Sequence, residues 1–284
     1  MKILVTGATG FIGNHLINSL LKEQKYQIIA TSSNIENAKK FEWFSKVTYI
    51  EYDLNKSITE DLFDFFQKPN KLIHLAWDKL SDVTNLAHTK EILPNHSRFI
   101  KNIVSGGLKE IVVAGTCLEY GLIEGCLHED SKINPSSPYG IAKKRLREFI
   151  VELKELYNIR YKWIRLFYIY GEGQSKTSLT YLLDQAIKNN EKQFNMSGGE
   201  QLRDYLDIDD VVKYISLITN QNIYFDKVIN CCSGVPISVK DLVKQLLKDK
   251  GYSIKLNLGH YPYRDFEPMS FWGDKTCLKK LLNN

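Results

Sequence analysis

The chain has 284 residues, 43% of them hydrophobic, which is enough apolar material for one large unit or two intimate halves. Its net charge of +5 is mild and spread along the chain, and no run of about 20 apolar residues is present, so neither nucleic-acid binding nor membrane insertion is expected. The five cysteines are scattered without metal-ligand spacing, which predicts no metal site and reduced thiols in a cytoplasmic protein.

The first predicted strand, residues 2–5, leads into a glycine-rich turn, V-T-G-A-T-G-F-I-G at residues 5–13. A strand that turns sharply into a helix points free backbone N–H groups and the positive helix end at one place, which suits a pyrophosphate. Gly7 can take the tight turn, Gly10 lets the backbone approach the phosphates, and Gly13 lets the helix lie close to the sheet. Because the spacing differs from G-x-G-x-x-G, a glycine turn without a ligand is the alternative.

The second predicted strand, residues 27–31, does not carry the carboxylate that usually accompanies NAD. An Asp or Glu that binds ribose is expected about 20 residues past the glycines, yet Thr-Ser-Ser-Asn stands at residues 31–34. The 2′-phosphate of NADP would meet no fixed negative charge there, and Lys39 and Lys40 lie downstream. The sequence therefore favours NADP(H), with NAD(H) as the alternative, although both lysines also fit a solvated helix face.

A third predicted strand, residues 47–52, ends in Asp53 and Leu54. A carboxylate at that edge of the sheet could accept a hydrogen bond from the adenine amino group of a dinucleotide. An Asp at a strand end is also an ordinary turn or cap residue, so Asp53 is interpreted either way.

The middle of the chain carries a tyrosine and a lysine one helical turn apart. Tyr139 and Lys143 project from one side of a helix predicted over residues 138–157. An unperturbed tyrosine has a pKa of about 10, and a neighbouring ammonium would lower that pKa into a useful range for proton transfer. Thr116, at the end of a strand predicted from residue 110, could hydrogen-bond the reacting oxygen beside Tyr139. An isolated Tyr-x-x-x-Lys pair is commonly a surface accident, but together with the glycine turn it predicts a nicotinamide-dependent site.

Apolar strand-like runs alternate with helical patterns through about residue 170, which predicts parallel strands joined by right-handed crossovers. The expected fold is α/β, a Rossmann-type doubly wound parallel sheet over residues 1–170, with a smaller α/β substrate-binding part over residues 171–284 and an interwoven boundary. Helical patterns in the second part lie at residues 178–188, 209–219 and 239–248. The site is expected between the two parts, at the carboxyl ends of the strands.

These motifs together resemble the extended short-chain dehydrogenase/reductases, the family of nucleotide-sugar epimerases, dehydratases and reductases. The resemblance covers nearly the whole length of the chain. The segments that carry it are the glycine turn, Asp53-Leu54, Ile73-His74-Leu75-Ala76, the Thr116 segment, Tyr139 to Lys143, Arg165-Leu166-Phe167-Tyr168-Ile169-Tyr170-Gly171, Gln201-Leu202-Arg203-Asp204-Tyr205 and Asp209-Asp210-Val211.

The resemblance assigns roles residue by residue. It implies that Leu75 and Ala76 line the nicotinamide, that Lys143 also holds the nicotinamide ribose, and that Tyr139 exchanges the proton. The implied cofactor-binding residues are Gly7, Thr9, Gly10, Phe11, Ile12, Gly13, Ser32, Asp53, Leu54, Leu75, Ala76, Tyr139 and Lys143. The implied substrate-binding residues are Thr116, Tyr168, Arg203 and Arg264, with Arg203 meeting the nucleotide diphosphate. A structural salt bridge is the alternative for each arginine.

Departures from the family pattern narrow the expected reaction. Cys117 and Leu118 stand where 4,6-dehydratases carry an Asp-Glu pair, which disfavours dehydration, and Tyr168 stands where many epimerases carry Asn. The strings His74-Leu75-Ala76-Trp77, Gly115 to Gly121 and Arg264-Asp265-Phe266-Glu267-Pro268 look closest to those of reductases that act on dTDP-4-keto-6-deoxyhexoses.

The predicted function is therefore NAD(P)H-dependent reduction of the C4 ketone of a dTDP-linked 4-keto-6-deoxyhexose, giving dTDP-fucose or dTDP-6-deoxy-talose for bacterial surface polysaccharides such as O-antigen. One alternative is a nucleotide-sugar C4 epimerase that holds NAD tightly. A second is a dinucleotide sensor without catalysis, which the Tyr139 and Lys143 pair disfavours. Family analogy alone suggests a homodimer, and the sequence leaves open the stereochemistry at C4 and the nucleotide base.

Overall fold

The computed structural model describes residues 1–223, 225–265 and 267–282. Phe266, which belongs to one of the reductase-like strings, lies outside the described residues, as do the last two residues of the predicted second part. The strands of the described residues are β1 (Lys2–Thr6), β2 (Gln27–Thr31), β3 (Thr48–Tyr49), β4 (Lys71–His74), β5 (Glu110–Thr116), β6 (Gly125–Leu127), β7 (Arg160–Leu166), β8 (Tyr168–Tyr170), β9 (Gln193–Asn195), β10 (Leu202–Asp207), β11 (Lys227–Cys231), β12 (Pro236–Ser238), β13 (Lys255–Asn257) and β14 (Phe271–Gly273).

Helices lie on both faces of the main sheet and over the carboxyl part. Their bounds are α1 (Phe11–Lys22), α2 (Ile35–Ala38), α3 (Leu62–Phe65), α4 (Leu93–Ser105), α5 (Pro138–Tyr157), α6 (Leu179–Lys188), α7 (Ile208–Asn220), α8 (Val239–Asp249) and α9 (Thr276–Leu282). No helix in the described ranges combines the length and the apolar character that a membrane span requires.

The main sheet has the Rossmann topology that the alternation of patterns predicts. Within the described residues it contains seven parallel strands in the order β3-β2-β1-β4-β5-β7-β11. Strands buried on both faces read as continuous apolar runs, as residues 3–5 do. The strand order reverses between β1 and β4, so their carboxyl ends border the crevice where such sheets bind ligands.

Local sequence signals set most of the element bounds. β2 and α5 occupy the predicted residues, and Ser137 caps α5 by accepting a hydrogen bond from the Gly140 N–H at 3.2 Å. The predicted third strand is shorter than expected, because only Thr48–Tyr49 forms a regular ladder with β2. Single bonds from Ile50 and Tyr52 N–H groups to the same neighbouring strand continue the edge less regularly.

Two elements from the predicted second part complete the first sheet. β11 pairs with β7 over five residues, and α7 packs on α1 in the hydrophobic core on that face. The remaining strands of the described residues form three small sheets: β8, β10 and β12 in one, β9 with β13 in the second, and β6 with β14 in the third. The boundary at residue 170 therefore stays a prediction about where the cofactor and the substrate bind. The residues on its two sides share one hydrophobic core.

Candidate active site

The glycine turn closes β1 onto α1 at the crevice. Gly7 has a φ of +70°, and a Cβ there would lie 2.7 Å from the Ala76 backbone nitrogen. A Cβ on Gly13 would lie 2.1 Å from the Gly7 carbonyl oxygen. The turn therefore excludes side chains at both positions and lies directly against the end of β4, where Leu75 and Ala76 follow.

The start of α1 suits an anion. Gly10 is its N-cap, no side chain caps its free N–H groups, and its first turn contains no acidic residue. Thr9 and the first helical residues, Phe11 and Ile12, are only partly buried. An uncapped helix N-terminus behind a turn without side chains fits a dinucleotide pyrophosphate.

The predicted adenosine-side residues lie at the carboxyl ends of β2 and β3. The Ser32 hydroxyl bonds the Tyr49 hydroxyl at 2.8 Å. Asp53 uses one carboxylate oxygen to accept from the Asn55 N–H at 2.9 Å, which is the turn role left open by the sequence, and Leu54 packs against the adjoining core. The hydroxyl oxygen of Thr31, at the end of β2, is buried without a hydrogen-bond partner in the described chain.

A carboxylate that sequence reasoning did not weigh lies beside the loop after β2. Glu51 accepts a hydrogen bond from the Ile35 N–H at 2.6 Å. The two lysines that favoured NADP instead contact residues of the α2 segment, Lys39 with Glu36 at 2.6 Å and Lys40 with Asn37 at 2.9 Å. Residues 31–40 alone therefore understate the negative charge beside this loop, because Glu51 comes from outside that segment.

Thr116 ends β5 and starts a short turn. Its side chain accepts from the Leu118 N–H, while the Glu119 carboxylate accepts from the Thr116 N–H at 2.9 Å, which together make a capping box. The accepted bond leaves the Thr116 hydroxyl proton available to a second oxygen. Thr116 lies near enough to Tyr139 for its hydroxyl to favour a lower Tyr139 pKa.

Burial nevertheless raises the Tyr139 pKa well above its usual value, with the Glu119 and Cys117 charges acting in the same direction. The expectation that Lys143 would lower this pKa is wrong for the protein alone. The Lys143 ammonium lies 5.9 Å from the centre of the Tyr139 ring, on its face, and donates instead to the Ala114 carbonyl at 2.9 Å. At neutral pH Tyr139 is therefore a protonated phenol.

Lys143 is nearly fully buried, at 1% exposure. Desolvation lowers the Lys143 pKa to about 7, and the Glu119 charge opposes this only in part. Its ammonium lies 3.9 Å from the centre of the ring of Trp77, the residue that follows Leu75 and Ala76.

Buried histidines form a layer next to Lys143 that the sequence did not reveal. His74 bonds the Thr6 hydroxyl at 2.9 Å and His96 at 2.8 Å. Burial, with the Lys143 charge, lowers the His74 pKa to about 3, so this pair is neutral. Trp77 donates to His88 at 3.1 Å, and His88 in turn packs on Tyr139. His74 ends β4, His88 lies just before α4, and His96 lies on α4, so no local pattern identifies them.

Glu119 is the carboxylate nearest the Thr116 turn, and it is completely buried. Besides the Thr116 N–H it accepts from Trp163 Nε1 at 2.8 Å and from Arg165 Nε at 3.0 Å. The T-x-x-E spacing of a capping box was the available sequence signal. All of these bonds fix Glu119 as a support for the turn.

Two of the predicted substrate residues lie on neighbouring strands of one small sheet, Tyr168 on β8 and Arg203 on β10. Tyr168 packs in the same apolar cluster as Cys117, next to the Thr116 turn. Arg203 is 5% exposed and pairs with Glu267 at 3.0 Å. Arg264, on the surface, contacts the other oxygen of Glu267 at 3.3 Å. Both arginines therefore form the salt bridges that were the alternative to ligand binding, and they share one carboxylate.

Comparisons with known proteins show which family the chain belongs to. The sequence model of the NAD dependent epimerase/dehydratase family matches residues 3–232. dTDP-6-deoxy-L-talose 4-dehydrogenase (NAD(+)) of Aggregatibacter actinomycetemcomitans is 29% identical over 278 residues, covering 97% of this chain and 100% of that protein. An uncharacterised UDP-glucose epimerase of Bacillus subtilis is 27% identical over 303 residues, covering 100% of this chain and 92% of that protein.

The fold also matches solved structures over its full length. UDP-glucuronic acid 4-epimerase from Bacillus cereus, in complex with UDP-glucuronic acid and NAD, superposes with a TM-score of 0.86 at 25% identity. The match covers 100% of this chain and 93% of that one.

Proposed function

The chain belongs to the NAD dependent epimerase/dehydratase family, and on that basis we propose that it reduces the C4 ketone of a dTDP-linked 4-keto-6-deoxyhexose. The product would be dTDP-6-deoxy-talose or dTDP-fucose. The observation that supports the proposal is that Tyr139 and Lys143 of α5 lie at the carboxyl end of β5, where Thr116 favours a lower Tyr139 pKa and Lys143 donates to the Ala114 carbonyl. The named substrate of the Aggregatibacter relative supports the dTDP-linked deoxysugar.

A reduced nicotinamide, when bound, supplies the hydride. The protein supplies the proton and the orientation: the Tyr139 hydroxyl donates to the developing C4 alkoxide, and the Thr116 hydroxyl donates to the same oxygen. Lys143 would hold the nicotinamide ribose, as the family resemblance implies. Its pKa of about 7 also lets it exchange a proton near neutral pH, beside Tyr139.

Burial raises the pKa of Tyr139 and so favours the phenol. A phenol can give its proton to the oxygen of a ketone that is being reduced. The second half of an epimerase cycle uses the same proton transfer, so this direction is compatible with both reactions.

The groups beside Thr116 argue against dehydration. Cys117 is buried, its pKa is raised by desolvation, and Leu118 cannot move a proton. Glu119 is held by Arg165 and Trp163 and is not available for acid–base chemistry.

We propose NAD(H) as the cofactor. The Aggregatibacter relative is named as an NAD(+) enzyme, and the Bacillus cereus structure contains NAD. Glu51 supports this choice, because its carboxylate lies beside the loop after β2, and Lys39 already has an acidic partner in Glu36.

The test is to incubate the purified protein with dTDP-4-keto-6-deoxyglucose and either NADH or NADPH. We expect stoichiometric loss of reduced nicotinamide absorbance, faster with NADH, and a sugar reduced at C4 by NMR. Tyr139→Phe should lower the rate roughly 10²-fold, while Tyr157→Phe, at the other end of α5, should leave it unchanged. Normal turnover by Tyr139→Phe would contradict the mechanism.

An epimerase is the second candidate, because the Bacillus subtilis relative and the Bacillus cereus structure carry that name. It would interconvert a sugar nucleotide and its C4 epimer with no net change in nicotinamide absorbance. Epimer formation from UDP-glucose, together with no loss of NADH or NADPH on the 4-keto sugar, would favour it over the reductase.

A further inference from the structure

A cysteine, a histidine and an aspartate meet on the outer face of the paired strands β6 and β14. Cys126 and His128 are exposed and Asp274 is partly buried. One ligand atom from each, the Cys126 Sγ, a His128 ring nitrogen and an Asp274 oxygen, lies within 4.8 Å of the other two. The searched part of the chain holds no other such group of three or more.

Strand geometry explains why these side chains converge. Cys126 and His128 are two residues apart, so they project to one side of the strand while Leu127 points into the core. β14 runs parallel to β6 with Gly273 opposite Leu127. Asp274 follows, and its N–H donates to the Leu127 carbonyl at 2.8 Å, which brings its carboxylate to within 3.8 Å of the His128 Nδ1.

The Asp274 carboxylate is oriented before any ligand arrives. One of its oxygens accepts from the Thr276 N–H at 2.9 Å at the start of α9. The other oxygen faces His128. Asp274 can therefore act as a monodentate metal ligand, because one oxygen is held by the Thr276 N–H and the other is directed at His128.

The charges around Cys126 favour a cation. Asp274, Asp204 and Glu129 all act on Cys126 as negative charges. Lys279 is the cation that acts on Asp274 from α9. Three carboxylates near one thiol attract a divalent ion. Desolvation and the same charges raise the pKa of the Cys126 thiol, so it is the bound ion that displaces the thiol proton.

We propose that Cys126, His128 and Asp274 bind one Zn²⁺ ion. Thiolate, imidazole and carboxylate together are a ligand set that zinc accepts, and three protein ligands leave a fourth position for water. Bond lengths of about 2.0–2.3 Å put tetrahedral ligand atoms about 3.5 Å apart, so the cluster closes by side-chain movements of roughly 1 Å. The spacing in the sequence predicted no metal site because Asp274 is far from the other two ligands along the chain.

The test uses the reduced, metal-free full chain, titrated with Co²⁺ and then Zn²⁺. We expect one equivalent of Co²⁺ to produce a thiolate-to-cobalt charge-transfer band and the visible bands of tetrahedral cobalt, and one equivalent of Zn²⁺ to abolish them. Cys126→Ser should remove the charge-transfer band. His128→Ala and Asp274→Asn should each weaken Co²⁺ binding at least roughly tenfold.

Matched controls separate the cluster from other thiols and imidazoles. Cys277→Ser changes the other cysteine that is not fully buried, and His260→Ala changes an exposed histidine elsewhere. Both variants should bind Co²⁺ like the unaltered chain. A cobalt spectrum without the thiolate band, or one that Cys126→Ser leaves intact, would overturn the proposal.

Discussion

Tyr139 and Lys143 lie one helical turn apart, yet burial moves their pKa values in opposite directions. The phenol becomes a weaker acid and the ammonium a stronger one, because desolvation disfavours whichever form is charged. The sequence showed that the two residues share a helix face. It did not show that the Ala114 carbonyl and the Trp77 ring would hold the ammonium.

The lowered pKa of Lys143 should make the free energy of unfolding depend on pH. Its pKa is about 7 in the folded chain against 10.5 when unperturbed. Between these values the unfolded chain binds the proton that the folded chain has lost, so this residue makes the free energy of unfolding rise with pH. The slope is at most about 1.4 kcal/mol per pH unit. Denaturant unfolding should show it in the wild-type chain and not in Lys143→Met; parallel pH curves would contradict it.

Removal of the Glu267 charge should raise the affinity of the protein for a nucleoside diphosphate. A nucleoside diphosphate that reaches Arg203 must take the place of this carboxylate, which two arginines now share. Glu267→Gln should therefore bind dTDP more tightly, by up to roughly tenfold. Calorimetric titration with dTDP measures it, with unfolding followed in parallel because Arg203 loses its buried partner. Weaker dTDP binding by a stably folded variant would mean that Glu267 itself binds the ligand.

The charge of Glu51 should affect the affinity for NADPH more than the affinity for NADH. If its carboxylate repels a 2′-phosphate, Glu51→Gln should tighten NADPH binding about fivefold and leave NADH binding nearly unchanged. Fluorescence titration gives both dissociation constants without any turnover. Glu42→Gln is the matched control, since it removes an exposed carboxylate and leaves the Lys39–Glu36 pair in place. Equal changes for NADPH and NADH would argue against this role.

At the scale of elements, α5 is positioned by a glycine. A Cβ on Gly140 would lie 2.5 Å from the Leu118 carbonyl oxygen, in the turn that follows Thr116. Gly140→Ala should push the start of α5 away from that turn and separate Tyr139 from Thr116. We expect a loss of roughly 10²-fold in kcat and about 1–3 kcal/mol in stability.

Steady-state kinetics and thermal unfolding measure both effects of Gly140→Ala. Glu152→Ala, on an exposed position of the same helix, should change neither. A fully active Gly140→Ala enzyme would show that α5 tolerates the displacement.

The sequence predicted those elements whose signals are local. Alternating strand and helix patterns predicted the parallel sheet, Ser137 and Pro138 mark the start of α5, and the glycines predicted the tight turn from β1 into α1. Phosphate binding by that turn stays a prediction. What it missed depends on contacts between distant segments: the His74–His96 pair, the Arg203–Glu267 pair and the cluster around Cys126. Periodicity carries no information about which strands or helices become neighbours in space.

At the scale of the whole molecule, the two predicted parts depend on each other. β11 supplies the edge of the main sheet beside β7, and α7 covers α1. A chain shortened to residues 1–170 lacks β11 and α7 and would expose the edge of β7 and the outer face of α1, so we expect no cooperative unfolding and no NADH binding. Circular dichroism during heating and fluorescence titration with NADH would check this. A shortened chain that unfolds cooperatively and binds NADH would show that the first part is self-sufficient.

The place of β11 in the sheet has a consequence for biosynthesis. The strand that closes the sheet ends at Cys231, so a ribosome must have polymerised the chain at least as far as this residue before the nascent chain can complete its main sheet. Until then the unpaired side of β7 is an open edge that could pair with other nascent chains. Chaperone capture during translation should therefore persist until this late strand leaves the exit tunnel.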